Sequence, residues 1–157
     1  GALPISCLKT YLSPELTVLL LEFVVLGKPV LIDDDWQLLD AWKQHVQKAA
    51  RASIAARASM QLGSLPDIEL SLQLTHYFDL PLGSKALMPD SKKLIAPIVD
   101  ALQGNLYERV SQVVERTSSK RNLNSSFRIQ QLSPTLAEGL YSGQEFVHAI
   151  IKGCNGS

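Results

Sequence analysis

Residues 33–60, DDDWQLLDAWKQHVQKAARASIAARASM, carry the strongest structural signal in the chain, and the fold reading starts from them. Three aspartates open the stretch, where a helix start favours a capping oxygen and negative charge. No Gly or Pro follows until Gly63, the expected stop. The pattern predicts one long helix over about 34–61, spanning roughly 40 Å at 1.5 Å per residue. At 100° per residue, Leu39, Trp42, Val46, Ala49, Ala50, Ser53 and Met60 share an apolar arc with Trp36 at its edge, and Asp40, Lys43, Gln44, Gln47, Lys48 and Arg51 fall opposite. The arc is bulky in its first half and alanine-rich in its second, where a partner helix can approach closely. Arg57 interrupts its apolar side.

Upstream, Ser13-Pro14-Glu15 supplies an N-cap, a proline at the first helical position and an early acid. These residues predict a helix over 15–26. The β-branched Thr17, Val18, Val24 and Val25 argue for a strand, and periodicity cannot settle so continuous an apolar run. The capping signal is the more specific, so helix is the expectation. Gly27-Lys28-Pro29 ends this element, and Val30-Leu31-Ile32 reads as an extended connector.

Downstream, helices are expected over 67–79, 91–103 with Asp90 as cap and Pro97 inside, 106–117 behind an Asn105/Glu108 capping box, and 134–141 capped by Ser133. Residues 144–152 supply a last amphipathic turn or two beyond the breaker Gly143. A short helix is expected over 3–12, a polar loop over 118–126, and a short strand or extended lead-in over 127–132. The sum is an all-α fold: an irregular bundle of about six to seven helices around the long one. The recurrence of Leu-Ser-Pro at 12–14 and 132–134 has no fixed period and reads as shared helix-start chemistry.

With 157 residues, the chain fits one helical domain with a proper core. Gly1-Ala2 resembles a tag remnant and Cys154-Asn155-Gly156-Ser157 stops without structural reason, which fits a domain excised from a longer protein. Fifteen basic and fifteen acidic residues leave no net charge to attract nucleic acid or an anionic membrane. The greasiest run, 18–26, is too short to span a bilayer and is interrupted by Glu22. Without a signal peptide, and with Cys7 and Cys154 as the only cysteines, the expectation is a soluble intracellular protein with free thiols.

No catalytic, metal or cofactor signature emerges. The run 30–35, VLIDDD, resembles the apolar strand ending in acids that holds magnesium, but it lacks a phosphate loop, and helix capping explains the aspartates better. His45, His76 and His148 have no partner at metal spacing. His45 and His76 read as core or boundary histidines, and no nucleophile elbow is present. The function expected is therefore a non-catalytic protein–protein interaction or assembly domain. Its candidate interface is Trp36, Ala52, Ala55 and Arg57, and its partner is another protein or a second copy. The alternative is a helical nucleic-acid-binding module using the acid-free basic segment 116–128, with Arg116, Lys120, Arg121 and Arg128 as phosphate contacts. A third possibility is an enzyme whose site assembles from distant residues near Asp33–Asp35.

Overall fold

Leu70, Leu72, Leu74, His76 and Phe78 are buried, and the residues between them lie on the other side of the chain. That is the period of a strand. A computed structural model describes residues 17–60, 68–80, 89–103, 110–120 and 132–154. Among the described residues, four strands alternate with three helices: β1 (Thr17–Leu26), α1 (Trp36–Ser59), β2 (Leu70–Phe78), α2 (Ser91–Leu102), β3 (Val110–Ser119), α3 (Pro134–Tyr141) and β4 (Phe146–Cys154). The all-α bundle of six to seven helices is therefore wrong: the fold is a mixed α/β layer structure.

The strands form one sheet in the order β1-β4-β2-β3. β4 runs antiparallel to both β1 and β2, and β2 runs parallel to β3 across the α2 crossover. Thus β1, β2 and β3 share one direction, with β4 inserted against it. One sheet face carries Leu21, Phe23 and Val25 of β1, Val147, Ala149 and Ile151 of β4, and Leu70, Leu72 and Leu74 of β2. These side chains pack with Trp42, Val46 and Ala50 of α1 and Ile98, Ala101 and Leu102 of α2 into the core. α3 lies against β1 and β4 on the opposite face. There Gly139 meets the Phe146 ring so closely that an added Cβ would stand 2.6 Å from it.

Four expected helical segments are strands. The run 18–26 is apolar on both sides of the strand except at Glu22, with Leu21, Phe23 and Val25 buried and Val24 and Leu26 half-buried, so it reads as continuously apolar and hides the strand period. In β2, the spacings Ile68/Leu72 and Leu74/Phe78 mimic a helix, but alternation from Leu70 to Phe78 is the pattern that burial follows. Val110, Val113, Val114 and Thr117 are β-branched, which suits a pleated surface, and they lie in β3. Residues 146–154 pair with two neighbours at once and so cannot be a helical turn.

The locally capped elements are helices as expected. α1 matches the long helix within two residues at each end. Asp90 caps α2 by accepting from the Lys92 amide, and Pro97 is accommodated inside it. Ser133 caps α3 by accepting from the Leu136 amide, with Pro134 at its start. Gly27, at φ 116°, turns the chain out of β1, a conformation that L side chains resist. The readings of 3–12 as a helix and of 127–131 as a short strand or extended lead-in, the capping box at Asn105, and the Cys7 thiol lie outside the described residues, and Leu132 is coil.

Candidate interaction surface

The start of α1 is the least protected apolar surface in the described chain. Trp36 is 70% exposed and Leu38 57%, with Ile32 at 37% just before the helix. Trp36 lies beside the core arc by angle. However, it occupies the first turn, one step before Leu39 and Trp42, where no other described element covers it. Trp42, two turns into the arc, is buried as expected and packs in the core.

Carboxylates surround this surface. Asp33 accepts from the Lys93 ammonium at 2.8 Å, and that hydrogen bond holds its carboxyl below the usual carboxylate range. The same contact raises the Lys93 ammonium above its ordinary value. The Asp34 carboxylate accepts from the Leu31 amide at 3.4 Å, and the Asp34 amide donates to the Leu31 carbonyl at 3.0 Å. Asp35 is the N-cap residue of α1 but makes no side-chain capping bond. The aspartates thus sit at the helix start as expected, yet the capping oxygen goes unused. Asp40, one turn beyond Trp36, accepts from Gln44. Among the described residues no group of three His, Cys, Asp or Glu side chains converges as a metal site would require.

The remaining interface candidates divide. Ala52 and Ala55 are exposed on the outer face of α1. Arg57 is half-buried and donates to the Leu20 carbonyl at 3.0 Å, so its intrusion into the apolar arc has an internal purpose. Leu20 is the bulged residue of β1 and has no cross-strand partner. At the other end of β1, the Gly27 amide bonds the Glu145 carbonyl, so alternation turns the Leu26 carbonyl to the open side of the strand. His45 meets it there at 2.7 Å. α1 therefore masks both ends of an edge strand that would otherwise invite another chain.

Of the four basic candidates, two are described. Arg116 is exposed on β3, but Lys120 is buried: its ammonium donates to the Gln144 carbonyl at 2.8 Å and stands 5.6 Å from the centre of the Phe146 ring. Arg121 and Arg128 lie outside the described residues.

Of two buried polar features, the His148–Glu22 pair escaped the sequence reading, while His76 is a core histidine as expected. His148 on β4 bonds the Glu22 carboxylate on β1 at 2.8 Å. Burial works to raise the Glu22 carboxyl, but hydrogen bonds from His148, Ser133 and Thr135 outweigh it and hold the group below its usual range. This cluster fastens the start of α3 to the sheet. The available signal was polarity inside apolar runs: read as strands, both runs place Glu22 and His148 opposite the core. His76 is the second feature. It is buried in β2 with Nε2 unpartnered and its ring stacked near Phe78, and burial pushes its pKa down to about 4.

Comparisons with family models, curated proteins and solved structures find no match. No described helix is long and apolar enough to cross a membrane.

Proposed function

We propose that this chain is a non-catalytic interaction domain that docks another protein on the exposed start of α1. The observation that carries the reading is Trp36, a tryptophan left 70% in water beside a closed core. Tryptophan is the side chain most enriched among residues that dominate binding energy, because it brings a large apolar area with few rotamers to fix. Ile32, just before the helix, adds exposed apolar surface at this end, and the exposed Ala52 and Ala55 permit close approach on the outer face further along the helix.

The nucleic-acid alternative is the weaker one. Phosphate binding wants several free, flexible cations, and Lys120 is committed to Gln144 and Phe146. An enzyme built around Asp33–Asp35 has little support either, since Lys93 already occupies Asp33.

The test is a pull-down from the source lysate with light scattering after gel filtration, run on wild type and Trp36→Ala. A stoichiometric partner, or self-association, that disappears in a variant with an unchanged circular dichroism spectrum is expected. A monomer that retains nothing, or a partner that ignores the substitution, would refute the reading.

A further inference from the structure

The charges around Trp36 say more about the occupant than its hydrophobicity does. Four carboxylates lie within one stretch of eight residues: Asp33, Asp34, Asp35 and Asp40. Asp40 follows Trp36 by four positions and so rises on the same side of α1. Lys93 is paired with Asp33, and Lys43, three positions beyond Asp40, with Asp100 at 3.3 Å. Asp34, Asp35 and Asp40 have no cation paired with them among the described residues. The Lys93–Asp33 contact shows that one carboxylate of this row accepts an ammonium.

Accordingly, we infer that the docking surface at the start of α1 receives a segment of another protein that alternates apolar residues with arginine or lysine. The apolar side chains cover Ile32, and a cationic side chain lays its stem and charge over the Trp36 indole toward Asp34, Asp35 and Asp40. Two physical terms favour this occupant over a neutral or acidic one. A cation over an exposed indole face gains about 0.5–1 kcal/mol, a factor of roughly two to five in affinity. The unpaired carboxylates attract cations over about a Debye length, roughly 10 Å at 0.1 M salt, and repel anions over the same range. The inference rests on the interaction-domain reading and adds the chemistry of the partner.

Three fluorescent eight-residue peptides test it by anisotropy: alternating Arg-Leu, alternating Ser-Leu and alternating Glu-Leu. The Arg-Leu peptide is expected to bind best. Its affinity should fall at least about threefold with Trp36→Ala, comparably with Asp34→Asn/Asp35→Asn, and further as salt rises. In a proton–nitrogen spectrum the Trp36 indole signal should shift while that of buried Trp42 stays, a readout that needs no variant. Equal binding of the Ser-Leu peptide, still lost with Trp36→Ala, overturns the basic-partner inference and leaves the interaction reading standing. Preference for the Glu-Leu peptide, or Arg-Leu binding that moves neither the indole signal nor the Trp36→Ala affinity, also overturns it. If no peptide binds, the inference fails, and the lysate experiment decides the broader reading by itself.

Discussion

His76 is a neutral imidazole sealed into the helix-covered face of the sheet, and its titration should be legible in the stability of the whole domain. Its pKa is pushed down by burial from 6.5 to about 4. Above pH 6.5 neither the folded nor the unfolded state holds the proton, so its titration does not change stability there. As pH falls from 6.5 toward 4 only the unfolded state takes it up, and stability is lost. A shift of this size corresponds to roughly 3 kcal/mol once pH is below both values. Urea unfolding at pH 7.5 and pH 4.5 should show the drop, and His76→Phe should flatten it; an equal drop in the variant would assign the effect elsewhere. Glu22 acts in a different window. Its folded pKa is lowered from 4.5, so its contribution is present above that value and fades only below it. At the same scale, Gly139 has no room for a side chain against Phe146. Gly139→Ala should cost about 1–3 kcal/mol through overpacking, measured as a lower urea midpoint with an unchanged slope.

The pairing of α1 with β1 is the feature of interest among the elements. The helix packs on the core through Trp42, Val46 and Ala50, and also sends His45 and Arg57 to carbonyls of the edge strand. Arg57→Met keeps the aliphatic stem but removes the donor. The half-buried Leu20 carbonyl then loses a charge-assisted bond, and a loss of about 1–3 kcal/mol is expected in chemical unfolding. The variant should also aggregate sooner on heating, because an uncovered bulge leaves the edge easier to pair. Unchanged stability and unchanged aggregation would mean that the contact contributes nothing.

For the molecule as a whole, the charge pattern separates the two functional readings. Fifteen positive and fifteen negative charges cancel, and the basic segment 116–128 has one of its cations buried against Phe146. Retention on heparin or mixed DNA is therefore expected to be lost at low salt, with a shallow salt dependence. Tight, steeply salt-dependent retention that falls with Arg116→Ala would favour the nucleic-acid alternative over docking at Trp36.

The three helices were readable in the chain because their signals are local. Asp90 and Ser133 cap with their own side chains, Pro134 opens a helix where its missing amide is no loss, and the arc of Trp42, Val46 and Ala50 repeats at the helical period. Trp36, singled out from its place at the edge of that arc, is exposed in the fold, which is why the candidate surface was partly visible in advance. The strands were not readable in this way. β1 and β4 carry apolar side chains on both faces, interrupted mainly by Glu22, His148 and Lys152, and such a run fits a helix as well as a strand until a partner accepts its backbone groups. Those partners lie far away in sequence: Glu22 finds His148, Leu72 finds Ile151, and Lys120 finds Gln144. Local capping and periodicity located the three helices, but the same signals at Ser13-Pro14 and over 68–78 pointed to helices where strands form; only the tertiary structure decided which apolar runs pair as a sheet and which charges are buried, because hydrogen-bond and charge partners come from distant parts of the chain.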